Sequence, residues 1–585
     1  MEGHEAVPER VPVLLPLPLE GPYDYAVPQP PEGSACALAP GTIVTVPLGP
    51  RRLHGVVWHG GSGVSVPAER LRAIDGVVDA PPLSPALLRF VDWVAAYTLA
   101  PLGEVLRLAL PLPAAVEPPR PRTGWRAADP PPQGVRLTPE RARVLSVLAA
   151  APGLAWSGAE LARAAGVTPG VLRGMAEAGL LEPAVLVEDV PRPDPSARAP
   201  ALGPDQAAAA RRLREAVAAR RFAVHLLDGV TGSGKTEVYL EAVAETVACG
   251  RQALVLLPEI ALSAQVIERF TARFGVAPTV WHSEVGAARR RAAHRAVAEG
   301  RAPIVIGARS ALWLNFADLG LIVVDEEHET AFKQEEGVPY NARDMAVVRA
   351  QLEGAPCLLV SATPSLETLA NVERGRYARL HLPERHGTAG LPGVTAVDLR
   401  RHPPPRGRFL SPPLVEGVGG ALGRREQALL FLNRRGFAPL TLCRACGHRF
   451  ACTNCTAWLV EHRYSRALQC HHCGHVEPLP AACPACGAEG TLAAIGPGVE
   501  RVAEEARALF PDAHVLEMSS DTVKGAIQAS AMAAMIENRE VDIIVGTQLV
   551  AKGWHFPHLT LVGVIDADLG LAGGDLRAAE RTFQI

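Results

Sequence analysis

Short apolar runs, each followed by glycine or polar residues, recur through the second two-thirds of the chain. Residues 223–227 and 321–324 are almost entirely apolar, which is typical of strands buried on both faces of a parallel sheet. Comparable runs begin at residues 255, 305, 359, 429 and 543. This order of strands and polar strand ends predicts an α/β fold with two successive parallel sheets.

The first part of the chain has a different pattern. Residues 42–46 and 55–58 have the composition of β-strands and are separated by proline and glycine turns, while residues 84–97 have a helical pattern. We therefore expect a small β-rich domain over residues 8–115.

Two proline-rich stretches, residues 116–134 and 191–204, predict extended linkers. Between them, residues 158–181 have the pattern of a helix, a turn and a second helix. One interpretation is a generic helical packing unit. The other is a winged helix over residues 135–190 whose second helix contacts DNA, with Arg173 as the basic residue of that helix.

Composition limits the classes of protein that the chain can represent. Its 585 residues predict several domains, and 48% hydrophobic with 20% charged residues is enough to build sizeable cores. The net charge of −3 gives no overall attraction to nucleic acid, so any DNA-binding surface must be local. No uninterrupted apolar stretch of about 18 residues indicates a membrane span. We expect a cytoplasmic protein without a membrane partner, in which thiols stay reduced.

A phosphate-binding motif follows the run at 223–227. Residues 229–236 match the pattern G-x-x-x-x-G-K-[ST], whose backbone N–H groups wrap phosphates at the start of a helix. The predicted nucleotide-binding residues are Gly229, Val230, Thr231, Gly232, Ser233, Gly234, Lys235 and Thr236. Lys235 is expected to contact the β- and γ-phosphates, and Thr236 to coordinate Mg²⁺. A chance match in a glycine-rich loop is the alternative, but the preceding strand and following helix favour nucleotide binding.

An acidic segment, Asp325-Glu326-Glu327-His328, follows the run at 321–324. Parallel strands present their carboxyl ends to the same crevice, so this segment is expected to lie near the phosphate-binding loop. We predict that Asp325 holds Mg²⁺ and that Glu326 orients and deprotonates the attacking water. With Lys235 they form the predicted catalytic set, although acidic residues at a strand end are often simply solvated.

Four Cys-x-x-Cys pairs lie close together. They are Cys443/Cys446, Cys452/Cys455, Cys470/Cys473 and Cys483/Cys486. Each pair puts two sulfurs on one tight turn, and eight thiols can hold two Zn²⁺ ions in tetrahedral Cys₄ sites. A disulfide framework is the alternative, but it requires a secreted context. Spacing alone allows either sequential or interleaved pairing. The nearby histidines that could substitute as ligands are His448, His462, His471, His472 and His475.

Six motifs resemble those of superfamily 2 DNA helicases, in the same order. They occupy residues 229–239, 257–262, 325–328, 361–367, 431–436 and 546–553. The residues and the order of these motifs closely resemble the PriA (primosomal protein N′) family of bacterial replication-restart helicases. The resemblance extends from about residue 11 to the last residue. The eight cysteines follow directly after Asn-Arg-Arg-Gly-Phe-Ala-Pro-Leu at 433–440, where this family carries its zinc insertion.

This resemblance implies tandem RecA-like helicase lobes at 200–395 and 396–585, with a zinc-binding insertion at 440–490. It implies an ATP-dependent 3′→5′ DNA helicase that recognises and remodels stalled or abandoned replication forks and initiates primosome assembly to reload the replicative helicase. The implied cofactors are ATP, Mg²⁺ and two Zn²⁺. The implied partners are forked and single-stranded DNA, primosome proteins, single-stranded-DNA-binding protein and the helicase-loading machinery.

The resemblance also implies roles for individual residues. Asp24 and Gly49 fall on positions that line the family's pocket for a DNA 3′ end, although alone they would be interpreted as ordinary turn residues. Gln206 falls on the adenine-reading glutamine, and residues 332–334 match the aromatic-rich loop that couples DNA to the ATPase site. For the cysteines, the family order implies that the two outer pairs share one ion and the two inner pairs share the other.

Two departures from the family pattern stand out. Trp554 occupies a position where the family usually has histidine, which is expected to alter local coupling to DNA or nucleotide. The chain ends at Ile585, before the family's Gly-Arg-rich motif and C-terminal DNA-binding domain. In the family, this motif supplies an arginine that reaches ATP from the second lobe. Because an arginine of this kind typically contributes about 10³–10⁵-fold to turnover, we expect this chain to bind ATP and hydrolyse it poorly.

Two other functions compete with an active helicase. The truncation favours a non-unwinding scaffold that binds forks and loads the replicative helicase. An RNA helicase or restriction-type translocase could have a similar motor, but neither class accounts for the zinc insertion together with the N-terminal domain.

Overall fold

The computed structural model shows two compact units. The described residues are 10–27, 38–61, 67, 70–110, 123–130, 132, 135–149, 155–185, 192–258, 264–385, 390, 392–405, 408–432, 440–443, 445–455, 458–462, 467–470, 473–495, 498–519, 522, 526–547, 550, 556–565, 567 and 576–584. The first unit comprises Met1–Pro193, Glu284–Pro303 and Trp313–Ala317, and the second comprises Asp194–Ser283, Ile304–Leu312 and Asp318–Ile585. Among the described helices, none is long and apolar enough to cross a membrane.

The N-terminal part of the first unit is an antiparallel sheet covered by two helices. Its described elements are β1 (Arg10–Leu14), β2 (Tyr23–Ala26), β3 (Ile43–Leu48), β4 (Arg51–Val57), β5 (Gly76–Val77), α1 (Pro85–Thr98) and α2 (Leu102–Ala109). The strand order is β2-β1-β4-β3-β5. Alternate residues on β1 and β3, such as Val11, Val13, Val44 and Val46, enter one core, which is the two-residue periodicity of a sheet with one buried face. The predicted small β-rich domain is confirmed as a fold.

Residues from the sequence region predicted as the first helicase lobe complete this unit. The indole of Trp313 packs 4.8 Å from the ring of Phe90 on α1. The side-chain amide of Asn315 donates to the carbonyl of Pro82 and accepts from the backbone N–H of Ser84, both at 2.9 Å. The chain therefore leaves the region of the first lobe between its strands and contributes to the core of the N-terminal unit.

The described part of the middle segment contains three helices and a two-stranded sheet. They are β6 (Thr123–Ala127), α3 (Pro139–Ala149), α4 (Gly158–Ala165), α5 (Pro169–Glu177) and β7 (Leu181–Val185). Ser157 caps α4, and the helices share one apolar core. β6 pairs antiparallel with β7, so the linker predicted for 116–134 is wrong at 123–127. The pairing places this strand with the helices and favours a winged helix over an all-helical unit.

The first lobe is built on a parallel sheet with helices around it. Its described elements are α6 (Pro204–Ala218), β8 (Ala223–Gly229), α7 (Lys235–Ala248), β9 (Gln252–Leu256), α8 (Ala264–Phe274), β10 (Thr279–Trp281), α9 (Ala287–Ala298), β11 (Ile304–Gly307), β12 (Leu319–Asp325), β13 (Lys333–Gln334), β14 (Tyr340–Asn341), α10 (Ala342–Glu353), β15 (Pro356–Ser361), α11 (Leu366–Glu373) and β16 (Ala378–Leu382). Of these, α9 belongs to the first unit. The described sheet order is β10-β11-β9-β12-β15-β8-β16.

The apolar runs of the sequence are the central strands of this sheet. β9 is buried along its whole length, and β12 is buried up to its last residue, Asp325. Strands buried on both faces lose the polar alternation of an exposed sheet. Their carboxyl ends therefore carry the polar groups, as the sequence predicted.

The second lobe contains a smaller parallel sheet, with the Cys-rich insertion placed after its first strand. The described elements of the lobe are α12 (Pro412–Gly423), β17 (Gln427–Leu432), α13 (Val499–Leu509), β23 (Val515–Met518), α14 (Ala526–Glu537), β24 (Ile543–Gly546), β25 (Leu559–Ile565) and α15 (Ala578–Gln584). The order of its described strands is β23-β24-β17-β25, all parallel. The predicted tandem α/β architecture is confirmed.

The insertion is made of short antiparallel strands. They are β18 (Leu440–Cys443), β19 (Leu459–His462), β20 (Ala467–Cys470), β21 (Val476–Pro478) and β22 (Leu492–Ile495). β18 pairs with β22, and β19, β20 and β21 form a separate sheet. The β18–β22 pair brings the start and the end of the insertion together.

Candidate nucleotide-binding site and metal centres

The phosphate-binding loop joins β8 to α7. Gly232 and Gly234 have φ angles of +83° and +78°, a region that side chains with a Cβ rarely adopt. A Cβ on Gly234 would also lie 2.3 Å from Nε2 of Gln206. Glycine is therefore required at position 234 for both conformation and space, and α7 begins directly afterwards at Lys235.

Lys235 already points its ammonium group into this loop. Its Nζ donates to the carbonyl oxygens of Gly229 and Val230, at 2.8 and 3.4 Å. Burial lowers the pKa of Lys235, while the nearby carboxylates of Glu326 and Asp325 act in the opposite direction. A buried cation held by two carbonyls and facing carboxylates fits a site that receives phosphate together with Mg²⁺.

Ser233 provides a second indication of a ligand. Its Oγ is buried and has no hydrogen-bond partner among the described residues. Such orphaned groups are rare in folded proteins and are often explained by an unseen ligand or ion. The described loop therefore fits nucleotide phosphates.

Gln206 lies against the same loop. Its side-chain amide donates to the carbonyl of Ser233 at 2.8 Å, and its Oε1 accepts from the N–H of Gly203 at 2.8 Å. These bonds close the first turn of α6 onto the phosphate-binding loop. The structure thus places the predicted adenine-reading residue beside the loop and gives it a bracing role there.

Asp325 lies at the carboxyl end of β12, close to α7. The hydroxyl of Tyr239 donates to its Oδ2 at 3.1 Å, and the N–H of Glu326 donates to its Oδ1 at 3.0 Å. Burial raises the pKa of Asp325, and these hydrogen bonds counteract part of that rise. Glu326 has a φ of +51°, a conformation that costs free energy in a non-glycine residue and is common at functional sites.

Glu327 is a buried residue of the acidic segment to which the sequence interpretation assigned no role. Its side chain is fully buried, and its carboxylate accepts from the N–H of Ser365 at 2.7 Å and the hydroxyl of Thr368 at 3.0 Å. Arg343 donates to the same carboxylate at 3.3 Å. The third acidic residue of the motif therefore ties the acidic segment to the start of α11.

His328 forms a second link in the same direction. Its Nδ1 lies 2.8 Å from Oγ of Ser361, the last residue of β15, and that Oγ accepts from the N–H of Thr363. The motif at 361–367 is thus in direct contact with the motif at 325–328. Sequence order suggested that both belong to one motor, but the pairing of these side chains had no signal in the sequence.

The residues matched to an aromatic-rich loop follow the acidic segment. Phe332 is 1% exposed, whereas Lys333 is exposed. Arg309 donates to the carbonyls of Ala331 and Lys333, at 3.4 and 2.9 Å. The aromatic ring is therefore part of the core of the lobe, and the arginine of the motif at 305–310 fixes the loop backbone.

Hydrogen bonds in the N-terminal sheet connect the chain near Asp24 with the chain near Gly49. The hydroxyl of Tyr25, beside Asp24, donates to the carbonyl of Pro47 at 3.1 Å. Arg72 donates to the carbonyl of Gly49 at 3.5 Å, and its own carbonyl accepts from Ala26. Arg72 thus connects β2 with the β3–β4 turn, and a lone arginine in a loop gave no such indication in the sequence.

Eight thiols form two clusters among the described residues. One cluster is Cys443, Cys446, Cys483 and Cys486, and the other is Cys452, Cys455, Cys470 and Cys473, with all sulfurs in a cluster within 4.8 Å of one another. Four Sγ–Sγ separations between cysteines of different pairs run from 3.4 to 3.7 Å. A Zn²⁺ with four bonds of about 2.3 Å holds its sulfurs about 3.8 Å apart. The clusters therefore fit tetrahedral metal sites, grouped in the interleaved order and not sequentially.

The backbone around the clusters explains this geometry. Gly447, Gly474 and Gly487 each follow a Cys-x-x-Cys pair with φ near +75° (+76°, +76° and +73°). Their N–H groups donate to the backbone carbonyls of Cys443, Cys470 and Cys483 at 2.8 to 3.0 Å. The hydroxyl of Thr491 lies 3.2 Å from Sγ of Cys443. This hydrogen bond, together with the backbone N–H groups of Cys446 and Ala445, lowers the pKa of that thiol to about 6. Each turn thus holds its sulfurs toward a shared centre.

Histidines of the insertion have other contacts. The ring of His475 lies 3.2 Å from the Thr453 hydroxyl, and the backbone carbonyl of His448 accepts from Cys443. Neither belongs to the described thiol clusters. His462 lies at the end of β19. Several residues named in the sequence analysis are outside the described residues: the motif positions 433–436 and 548, the histidines at 471–472, and the tryptophan at 554.

The first parallel sheet carries a phosphate-binding loop and an acidic segment at the end of a strand. A second parallel sheet with a metal-binding insertion follows. Together these features define a two-lobed helicase-type ATPase. Family models match in the same order. The PriA 3′ DNA-binding domain matches residues 12–111, the DEAD/DEAH box helicase domain 204–372, and the Cys-rich region of the PriA DNA helicase 452–478.

Curated relatives extend these matches to almost the whole chain. Replication restart protein PriA of Rickettsia felis is 36% identical over 575 residues, covering 98% of this chain and 76% of the relative. The Haemophilus influenzae protein of the same name is 35% identical, with 98% and 78% coverage. That of Bacillus subtilis is 40% identical over 66% of this chain and 48% of its own length. The chain belongs to the PriA family of replication restart proteins.

Proposed function

We propose that this chain is an ATP-dependent 3′→5′ DNA helicase that recognises and remodels stalled or abandoned replication forks and initiates primosome assembly. The observation that carries the proposal is the convergence of Lys235, Asp325 and Glu326 at the ends of buried parallel strands. Family membership adds the replication-restart context. The N-terminal match to a 3′ DNA-binding domain adds the substrate class.

In the proposed mechanism, water attacks the γ-phosphoryl group of bound ATP as the bond to the β-phosphate oxygen breaks and ADP leaves, and a bound Mg²⁺ would neutralise the developing charge. Lys235 moves its ammonium from the loop carbonyls to the β- and γ-phosphates, while the loop N–H groups surround them. Thr236 and Asp325 would hold Mg²⁺, and Tyr239 keeps the Asp325 carboxylate in place through its 3.1 Å hydrogen bond. Glu326 orients the attacking water and accepts its proton.

The other domains supply recognition in this proposal. Asp24 and Gly49 bind the 3′ end of a nascent leading strand, with Arg72 bracing the turn that carries Gly49. Arg173 lies exposed on α5 of the middle domain, available to a DNA backbone. Gln206 reads adenine from its place beside the loop. The four thiols of each cluster would hold one Zn²⁺, which would make the insertion rigid for contact with DNA, primosome proteins, single-stranded-DNA-binding protein and the helicase-loading machinery.

The test compares ATP turnover and strand separation on forks that carry a leading-strand 3′ end. Wild-type protein is expected to hydrolyse ATP slowly, to do so faster when DNA is present, and to unwind with 3′→5′ polarity. Lys235→Ala removes the cation that contacts the phosphates, and it should lower turnover by about 10²–10³-fold. Arg424→Ala is the matched control, since it removes an exposed cation paired with Glu426 at the surface of the second lobe.

Three results would contradict the proposal. Turnover that ignores DNA would exclude a DNA-driven motor. Preference for RNA over forked DNA in direct competition would indicate another class of translocase. Binding to forks without any unwinding at saturating ATP would leave a fork-binding scaffold.

A second comparison tests the 3′-end pocket. Forks ending in a 3′ hydroxyl and in a 3′ phosphate differ only at the atoms that the pocket would contact. Asp24→Ala is expected to remove discrimination between them while leaving ATP binding unchanged. Equal discrimination by wild type and Asp24→Ala would contradict the pocket assignment.

A further inference from the structure

A continuous series of polar contacts runs from the acidic segment of the first lobe to the described end of the second lobe. It begins at Glu327, which is enclosed by the Ser365 N–H and hydroxyl at 2.7 and 3.0 Å. Ser365 is also the N-cap of α11. The position of α11 is therefore set directly by a residue that lies between Glu326 and His328 in the chain.

Arg343 continues the series. Its guanidinium is 8% exposed and donates to the Glu327 carboxylate at 3.3 Å and to the Ser365 hydroxyl at 2.6 Å. The same NH1 lies 3.9 Å from a carboxylate oxygen of Glu367. A planar guanidinium contacts several acceptors only in a narrow range of orientations. A displacement of Glu327 therefore shifts Arg343 relative to Glu367.

Glu367, in the first turn of α11, binds across to the second lobe. Both of its carboxylate oxygens accept hydrogen bonds from Arg577, one at 3.2 Å. The hydrogen bond from Arg577 lowers the pKa of Glu367, which keeps the carboxylate ionised. Two-point binding of this kind fixes orientation as well as distance.

α15 reinforces the contact from the same side. Oε1 of Glu580 accepts from the N–H of Leu366 at 3.0 Å, and Nε2 of Gln584 donates to the carbonyl of Thr363 at 3.4 Å. Arg577 also lies 3.6 Å from Glu580. The segment Thr363–Glu367 is therefore held by the acidic motif on one side and by α15 on the other.

We propose that Glu367 and Arg577 are positioning residues that transmit the state of the nucleotide site to α15 of the second lobe. The proposal rests on the proposed function, in which Asp325 and Glu326 face Mg-ATP. Movement of the acidic segment on binding shifts Ser365 and Arg343, and the Glu367–Arg577 pair carries that shift across. The side chains of Glu367 and Arg577 are 41% and 50% exposed, and exposed pairs contribute little to stability, so the pair acts on position and not on folding.

Hydrogen exchange of the whole chain, with and without a non-hydrolysable Mg-ATP analogue, tests this inference without requiring turnover. In wild type, nucleotide is expected to slow exchange at 229–248 and to change exchange at 363–369 and 578–584. Glu367→Gln and Arg577→Gln should keep the first change and lose the change at 578–584. Each variant is also expected to speed basal exchange at Leu366 by about two- to fivefold, the range of an exposed ion pair.

Two further variants separate coupling from local damage. The conservative variant Arg577→Lys, which keeps a cation beside Glu367, should retain part of the nucleotide response of α15. Arg507→Gln, which breaks another exposed ion pair of the second lobe with Glu517, should leave the response intact.

The inference is overturned if α15 responds to nucleotide in Arg577→Gln as in wild type, if wild-type α15 shows no response while 229–248 is protected, or if Arg577→Lys loses the response as completely as Arg577→Gln. A wild-type chain without protection at 229–248 would contradict the proposed function first, and the coupling with it.

Discussion

The nucleotide site and the Cys-rich insertion are held in place by different interactions. In the first lobe, the functional groups stand at the ends of strands such as β9 and β12, whose residues are buried on both sheet faces. In the insertion, the described core consists of Phe450, Cys452, Leu459, Leu468 and Cys470. Two members of that core are themselves thiols of a metal cluster.

This difference predicts where each region obtains its stability. An extensive apolar core fixes a lobe before any ligand binds, and the ligand then meets groups already in position. A short antiparallel sheet with little core needs a metal to compensate for the conformational entropy of folding. Removing the metal should therefore destabilise only the insertion, and removing a buried polar group of the first lobe should destabilise only that lobe.

Metal removal should have the largest effect, confined to the insertion. Apparent binding free energies of structural Zn²⁺ in small domains are about 10–16 kcal/mol. A chelator, or Cys470→Ser with its thiol lost from the inner cluster, is expected to make amide exchange across 440–495 fast. Exchange and nucleotide protection at 229–248 should stay unchanged, as measured by mass spectrometry alongside metal content.

Cys249→Ser is the matched control for that prediction, because Cys249 lies outside the clusters among the described cysteines. It should retain the full metal content. An insertion that keeps its protection in chelator would show that its apolar residues are sufficient, and the contrast between the two regions would fail.

Glu327→Ala should have the next largest effect, confined to the first lobe. The change leaves the guanidinium of Arg343 buried, with its ion pair to Glu327 lost. Breaking a buried pair typically costs about 3–5 kcal/mol of unfolding free energy. Denaturant unfolding followed by the near-ultraviolet signal should report this loss, while metal content stays at the wild-type value.

Two variants define the outcome for Glu327. Glu327→Gln keeps an acceptor for the Ser365 N–H and should lose less stability than the alanine variant. Glu373→Ala removes an exposed acid from the end of α11 and should change stability by less than about 0.5 kcal/mol. Equal stability of Glu327→Ala and wild type would mean that the buried carboxylate does not organise the site.

The sequence predicted the parts whose chemistry is local. The glycines and Lys235 occupy consecutive positions, so the strand-loop-helix pattern was enough to predict a phosphate-binding loop. The cysteine pairs are also local, since each pair occupies one turn. Their grouping was left open by spacing, and the family resemblance implied the interleaved order in which the thiols lie.

The features that the sequence did not predict depend on contacts between segments that are distant along the chain. Glu327 looks like its neighbours Asp325 and Glu326, and only the approach of Ser365 and Arg343 distinguishes it. β6 lies inside a proline-rich stretch, and its strand character comes from pairing with β7 far along the chain. Likewise, nothing local shows that Asn315 completes the N-terminal unit.

Thr491→Val should have the smallest effect, and it sharpens the comparison within the insertion itself. The Thr491 hydroxyl lies 3.2 Å from Sγ of Cys443, so valine removes one polar contact to a sulfur while keeping the shape of the side chain. Loss of such a supporting contact typically weakens metal binding about tenfold. Competitive metal titration should show this weakening, with Thr491→Ser close to wild type because it keeps the hydroxyl. Nucleotide affinity should not change, because the two regions obtain their stability separately; a parallel loss of nucleotide affinity would show that the insertion supports the motor directly.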